Sequence, residues 1–290
     1  MQAMQAANRL QRALRTERGL SFGAWQMLPG ANHARTEYCW LRITVMAMAD
    51  GGFAADWQMH EAVAAIAATG VSPIVRIAAN EGWMVKRALD AGAHGIVVPL
   101  LYTADDARRL VESAKFPPVG RRGFGSPFAM GSIGGVSGLE YLQGANDALL
   151  TIVQIETKEA LENVEEIAKV PGIDVLFVGP WDLGNNIGRP VTGAFHEDLE
   201  AAIERIRKAA VDNGKRAGIY CVGGAAAKKY ADRGFHMISV VADAVALPTF
   251  LADALETAKE LILEGSLNME NRNVKFVDVL PGLVLGSHNV

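Results

Sequence analysis

An α/β fold, a (β/α)8 TIM barrel, is what this sequence predicts, on three observations. Short apolar runs alternate with amphipathic stretches along most of the chain. The runs are near-continuously hydrophobic, as parallel strands covered on both faces are. Two of them end in a carboxylate phrase, Gln154-Ile155-Glu156-Thr157 and Gly179-Pro180-Trp181-Asp182-Leu183, and residues just past strand ends are where (β/α)8 barrels keep their sites. With 290 residues, 50% of them hydrophobic, one such domain has enough material for its core.

The elements follow in order. Arg9, Arg12, Arg15 and Arg18 stand with Leu10 and Leu14, one helical turn apart. The acid-poor stretch has some likeness to an organelle transit peptide, but Gly23-Ala24-Trp25 begins a strand directly afterwards, which favours an amphipathic N-terminal helix. Strands are predicted at Phe22–Met27, Ile74–Ile77, Gly95–Pro99, Leu149–Ile155, Val175–Val178, Arg216–Cys221 and Met237–Val241, on their β-branched content. The gap between Ala31 and Pro73 has room for an eighth. Helices are predicted at Met59–Ala68, Val85–Leu89, Ala104–Ala114, Lys158–Ala168, Glu197–Asn213, Ala225–Arg233 and Leu247–Leu263. Thr157 caps the fourth of these, and Gly214 and Gly234 stop the next two. The last helix is expected to pack on, or swap with, a neighbouring subunit. Residues 1–267 form the barrel domain and 268–290 a tail, whose apolar Val279–Leu285 stretch is expected to pack on a partner or stay disordered. A doubly wound open sheet is the alternative, but no Gly-x-Gly-x-x-Gly opens a helix after the first strand.

The segment Phe116–Asn146 is long and rich in Gly and Pro. Long connections are often functional, so a lid or a loop crossing to a neighbouring subunit is expected there, with plain surface irregularity as the bland alternative. Gly120–Gly125 within it is a weak phosphate signal, and Arg121-Arg122 reads as a solvated loop.

Composition narrows the function. A net charge of −4 without a basic block excludes nucleic acid as a natural partner. No apolar run reaches the length of a membrane span. The two cysteines, Cys39 and Cys221, form no Cys-x-x-Cys pair, and a reducing, cytoplasmic setting is expected. Cys221, in an apolar strand, reads as a buried small hydrophobe.

The strand ends carry the chemistry. Arg76 ends the third strand, Glu156 the fifth, and Asp182 follows the sixth. Glu156 and Asp182 are hard oxygen donors suited to Mg²⁺ or Mn²⁺. Two protein carboxylates leave coordination positions open for a chelating 2-oxo acid such as pyruvate. Arg76 is suited to hold the keto or enolate oxygen. Each acid alone reads more readily as a helix cap or first-turn residue, and Arg76 alone equally as a rim ion pair.

The chain resembles the HpcH/HpaI aldolase family from about Leu14 to Leu261. The matching phrases are Phe22-Gly23-Ala24-Trp25, Leu28-Pro29-Gly30, Pro73-Ile74-Val75-Arg76, Ala88-Leu89-Asp90-Ala91-Gly92-Ala93, Phe116-Pro117-Pro118-Val119-Gly120-Arg121-Arg122-Gly123, Gln154-Ile155-Glu156-Thr157 and Gly179-Pro180-Trp181-Asp182-Leu183. The resemblance implies a class II aldolase acting on 4-hydroxy-2-oxo acids or 2-keto-3-deoxy sugar acids to give pyruvate and an aldehyde. It implies a divalent metal (Mg²⁺, Mn²⁺ or Co²⁺) on Glu156 and Asp182, with Arg76 polarising the keto group. Gln154 and the backbone of Gly179, Pro180, Trp181 and Asp182 match the pyruvate-binding surface. Asp90 matches the aspartate that partners a catalytic histidine. A homo-oligomer, hexamer or trimer, with shared active-site walls is also implied.

One departure stands out. Where the family ends its second strand in Asp-x-Glu-His-Gly, with the histidine as general base, this chain reads Trp40-Leu41-Arg42-Ile43-Thr44-Val45-Met46-Ala47-Met48-Ala49-Asp50-Gly51-Gly52. A compensated reading-frame shift would leave such a stretch. Of the other histidines, His60 reads as a helix-surface residue, His94 and His236 precede strands, and His196 starts a helix. His33, following the first strand, is the one placed near the mouth; a metal-bound water is the other available base. The expected activity is a divalent-metal carbon–carbon lyase. The alternatives are an impaired homologue that retains metal and pyruvate binding, or an oxaloacetate decarboxylase, which needs no such base.

Overall fold

The computed structural model describes residues 2–38, 46–50 and 56–267, of which 38, 46–50 and 260–267 are described by backbone course alone. Its contacts divide the chain into two units, Met1–Ala246 and Leu247–Val290. In the first, eight parallel strands close in sequence order into a barrel: β1 (Ser21–Gln26), β2 (Met46–Asp50), β3 (Ser72–Arg76), β4 (Gly95–Val98), β5 (Leu150–Ile155), β6 (Val175–Val178), β7 (Arg216–Tyr220) and β8 (Met237–Ala242), with β8 pairing back onto β1. The eighth strand predicted between Ala31 and Pro73 is β2, whose Asp50 pairs in register with Arg76. The rest of the altered stretch Trp40–Gly52 lies in 39–45 and 51–55, which with the tail 268–290 fall outside the described residues, as does Cys39.

Strand hydrophobicity is near-continuous because alternate residues serve two cores. Ile74, Val97, Ile152, Val175, Phe177 and Met237 fill the barrel interior. Their neighbours Val75, Ile96, Val98, Val153, Leu176, Val178, Ile219 and Ile238 pack outward on the helices. Each such side chain, removed from water, contributes about 1.5–3 kcal/mol.

Helices α1 (Gln2–Ala7) and α2 (Arg9–Leu14) precede β1. Leu10 and Leu14 enter the interior cluster. Asn8 Nδ2 donates to the carbonyls of His94 (2.9 Å) and Ala148 (2.8 Å), and the Leu10 N–H donates to Ser72 Oγ at 3.0 Å. His94, Ala148 and Ser72 stand where strands begin, so this helical pair plugs the N-terminal end of the barrel and leaves the other end open.

The connecting helices are α3 (Ala31–Tyr38), α4 (Asp56–Ala68), α5 (Gly82–Asp90), α6 (Ala104–Ala114), α7 (Phe128–Ser132), α8 (Gly138–Ala148), α9 (Lys158–Glu162), α10 (Val164–Ala168), α11 (Pro180–Asn186), α12 (Glu197–Asp212), α13 (Gly224–Asp232) and α14 (Asp243–Leu267). The helix predicted over Lys158–Ala168 is broken into α9 and α10 at Asn163. The Asn163 side chain donates to the carbonyls of Glu159 (2.9 Å) and Tyr102 (3.2 Å), competing with helical continuation. In the second unit, α14 exposes Leu247, Phe250, Leu251 and Leu255. Among the described residues no helix is long and apolar enough to cross a membrane.

Two expectations about 116–146 are corrected. The segment is partly helical, through α7 and α8, and as a helix-to-strand connection it lies at the N-terminal end of the barrel, so it is no lid over the strand C-termini. Arg121 is solvated, but Arg122 is buried, with 1% of its side chain exposed. It donates to Asp90 (2.9 Å) and to the Tyr141 hydroxyl (3.0 Å) and stacks on the Phe116 ring, pinning the segment to α5.

Candidate functional site

The period-two alternation that fills the barrel also builds its mouth. Inward-facing Ile74 is followed two residues on by Arg76, Ile152 by Gln154 and then Glu156, and Phe177 by Gly179. The result is a ring of polar groups resting on an apolar floor. Arg76, Gln154, Gly179, Pro180, Trp181 and Asp182 line one cleft of about 620 Å³ with Trp25, Met27, Tyr220, Val222 and Val245. A larger groove of about 900 Å³ runs between α4 and α7, walled mainly by Ala64, Ala67, Ala68 and Phe128. It lies on the helical exterior, away from the strand ends, so chemistry is assigned to the smaller cleft.

Arg76 Nε donates to Gln154 Oε1 at 3.0 Å, and Gln154 Nε2 donates to Glu156 Oε2 at 2.5 Å. The amide thus fixes guanidinium and carboxylate in one chain of hydrogen bonds across β3 and β5. Leu100, just past β4, has a positive φ of 52°, an uncommon conformation for a side chain of its kind. Its N–H donates to Glu156 Oε1 at 3.0 Å. Backbone held this way at a polar cluster marks it as a candidate for function.

Glu156 is fully buried. Burial pushes its carboxyl from 4.5 up to about 7, against the opposing pull of the Leu100 N–H, Arg76 and Gln154; the negative charge of Asp182 adds to the rise. Asp182 sits in the first turn of α11, behind Gly179 as N-cap and Pro180 as first helical residue, where an acid suits the helix dipole. Gly179 is glycine for a steric reason: a β-carbon there would overlap the Glu156 carboxylate and stand 2.7 Å from Gln154 Nε2.

Aromatic rings form one wall. Tyr220 packs edge-on to Trp25 (5.9 Å) and Trp181 (5.3 Å), and Trp181 in turn meets Phe195 (5.9 Å). The buried Trp25 Nε1 has no acceptor among the described residues, which leaves a donor at the cleft.

Sequence reasoning named Arg76, Gln154, Glu156, Gly179, Pro180, Trp181 and Asp182, and the fold gathers all seven. It does not bring Asp90 to them. Asp90 ends α5, at the opposite end of the barrel, held by Lys86 and Arg122. The other described histidines fall as follows: His60 on α4 against Phe128, His94 and His236 before β4 and β8, and His196 as N-cap of α12.

Sequence reasoning missed a cluster made by His33 on α3 and Asp243 just past β8. His33 Nε2 lies 3.0 Å from Asp243 Oδ2 and 3.1 Å from Glu37 Oε1. The ligating atoms of these three side chains all fall within 4.8 Å of one another. Asp243 is already engaged, however: its Oδ1 accepts the N–H groups of Met27 (2.8 Å) and Ala244 (2.6 Å), and its Oδ2 that of Leu28 (2.9 Å). A cation would displace those bonds, so the cluster is better suited to orienting the imidazole than to holding metal. The Glu156–Asp182 pair fits a hard divalent ion better, since a buried carboxylate pushed up towards neutrality beside a second acid is relieved by positive charge.

A model of the HpcH/HpaI aldolase/citrate lyase family matches residues 45–247. The hydroxypyruvate/pyruvate aldolase of Paraburkholderia phytofirmans is 39% identical over 191 residues, covering 64% of this chain and 72% of its own. The 4-hydroxy-2-oxo-heptane-1,7-dioate aldolase of Shigella flexneri is 36% identical over 210 residues, covering 72% and 76%. The crystal structure of an HpcH/HpaI aldolase/citrate lyase family protein from Burkholderia cenocepacia superposes with a TM-score of 0.79 at 34% identity, covering 87% of this chain and 99% of that one.

Proposed function

The chain belongs to the HpcH/HpaI aldolase/citrate lyase family, and we propose that it is a divalent-metal-dependent carbon–carbon lyase. Its substrates on this reading are 4-hydroxy-2-oxo acids, cleaved to pyruvate and an aldehyde, as the names of its relatives suggest. The observation that carries the reading is the buried Glu156 carboxyl, raised to about 7, with Asp182 and Arg76 close enough to shift it in opposite directions. Glu156 and Asp182 would hold the ion, Mg²⁺, Mn²⁺ or Co²⁺. When bound it would supply Lewis-acid stabilisation to negative charge developing on the 2-oxo acid.

The chain's own residues do the rest. Gln154 fixes Arg76 through Nε, so the guanidinium meets the keto oxygen in a set orientation. It stabilises the enolate charge that forms when the C3–C4 bond breaks. Gly179 lets the backbone of Gly179–Trp181 approach the substrate carboxylate, and Trp25, Trp181 and Tyr220 keep water from the reacting carbons. Exposed Leu247, Phe250, Leu251 and Leu255 on α14 support assembly with further copies of the chain, a trimer or hexamer. A cytoplasmic setting fits the buried free thiol of Cys221.

The missing Asp-x-Glu-His-Gly phrase favours a second reading: a protein that binds metal and pyruvate, or decarboxylates oxaloacetate, without cleaving aldols. Supplying Mg²⁺ or Mn²⁺ with oxaloacetate, then with a 4-hydroxy-2-oxo acid, and following pyruvate separates the two. Release from both supports the lyase. Release from oxaloacetate alone supports the second reading. Wild-type rates in Glu156→Ala would refute the site.

A further inference from the structure

Aldol cleavage requires an acceptor for the C4 hydroxyl proton, and among the described residues the cleft lining offers none. Its titratable groups are Arg76, always protonated, Asp182, assigned to the ion, and Tyr220, whose phenol burial pushes up. His33 stands at the open end of the barrel, in the first turn of α3, four residues beyond the loop residue Pro29.

We propose that His33, oriented by Asp243, is the general base of this chain, an inference that rests on the lyase reading above. Nε2–H donates to Asp243 Oδ2 at 3.0 Å, with Glu37 Oε1 at 3.1 Å on the same nitrogen. That leaves the Nδ1 lone pair to take a proton, and among the described residues nothing is bonded to it. The arrangement repeats the logic of a carboxylate fixing an imidazole tautomer so that the opposite nitrogen is the base. Asp243 is itself fixed: 6% exposed, it accepts the N–H groups of Met27, Leu28 and Ala244. These bonds lock the β1–α3 turn to the end of β8. Met27 and Val245, on either side of the dyad, line the cleft. The imidazole keeps 30% of its side chain exposed, so a ligand can reach it.

In the step assigned to His33, Nδ1 takes the proton of the C4 hydroxyl. The C4–O bond becomes the carbonyl of the departing aldehyde, the C3–C4 bond breaks, and its electron pair passes to the C2 oxygen facing Arg76. The imidazolium then returns the proton to C3, giving pyruvate. Asp243 is a positioning residue in this scheme. Decarboxylation of oxaloacetate, which releases carbon dioxide and leaves the same enolate, removes no hydroxyl proton; its enolate takes the C3 proton from water, so the reaction bypasses His33.

The test is His33→Ala in the full-length protein with saturating Mg²⁺, assayed on both substrates. Retro-aldol kcat is expected to fall about 10²–10⁴-fold, with oxaloacetate decarboxylation within about threefold of wild type and added imidazole restoring retro-aldol turnover. Asp243→Asn should lower retro-aldol kcat at unchanged KM, with partial recovery in Asp243→Glu. Retro-aldol turnover unchanged in His33→Ala, both activities falling together, or a wild type that decarboxylates but never cleaves aldols would each overturn the assignment. A wild type inactive on both substrates would instead refute the lyase reading on which it rests.

Discussion

Leu100, held at a φ of 52°, donates its backbone N–H to Glu156 Oε1 at 3.0 Å. A strained residue after β4 thus supports a buried acid after β5, and the acid remains difficult to ionise even so, at about 7. That difficulty has consequences for stability.

Folding raises the Glu156 pKa from 4.5 to about 7, so the folded state binds the proton more tightly than the unfolded one. Stability from this group is complete below pH 4.5 and is lost as pH rises through 7. Above pH 7 the ionised form costs about 3 kcal/mol. Glu156→Gln should therefore melt higher than wild type at pH 8, by several degrees, with the gap closing at pH 4.5. Thermal melts of the metal-free proteins at the two pH values check this.

Gly179 leaves no room for a side chain against Glu156 and Gln154. Gly179→Ala should displace both, lose about 1–3 kcal/mol of stability, and weaken divalent-cation binding more than its stability loss accounts for. Melting and calorimetry on the same variant separate the two effects.

Arg76 is fixed through Nε, a nitrogen that lysine does not have. Arg76→Lys keeps the charge but not the fork. Steady-state assays with oxaloacetate should show kcat down about 10²–10³-fold, with a smaller change in KM.

The acid limb of stability should come partly from His94, before β4. Burial lowers its pKa from 6.5 to about 4, with Nε2 donating to the Ser132 carbonyl and Nδ1 lacking a partner among the described residues. A depressed histidine stabilises the fold above pH 6.5, and that stability is lost as pH falls towards 4. The loss is on the order of 3 kcal/mol. Denaturant titrations between pH 7 and 4 should show a shallower decline in His94→Gln than in wild type.

Much of this was readable from sequence because strand burial and strand ends leave local marks. Seven strands announced themselves as apolar runs, and Arg76, Glu156 and Asp182 as charges terminating or following such runs. The eighth, Met46–Asp50, was inferred only from the space it had to fill. The N-terminal plug was legible as an amphipathic helix but not as a plug, since nothing local in Asn8 reports its bonds to His94 and Ala148. Arg122 was misjudged because its partners, Asp90 and Tyr141, are 32 and 19 residues away. The pairing of His33 with Asp243 spans 210 residues and exists only because β8 closes onto β1. The signal that could have found it was the position of both residues just past adjacent strand ends.

Glu156 and Asp182, on this reading, share one divalent cation. Calorimetric titration of the metal-free protein with Mn²⁺, in wild type, Glu156→Ala and Asp182→Ala, tests it most directly. Wild type should bind one ion per chain, and each variant should bind it more weakly, by about 100-fold or more. Wild-type affinity in either variant, or binding lost only when His33 is replaced, would contradict it.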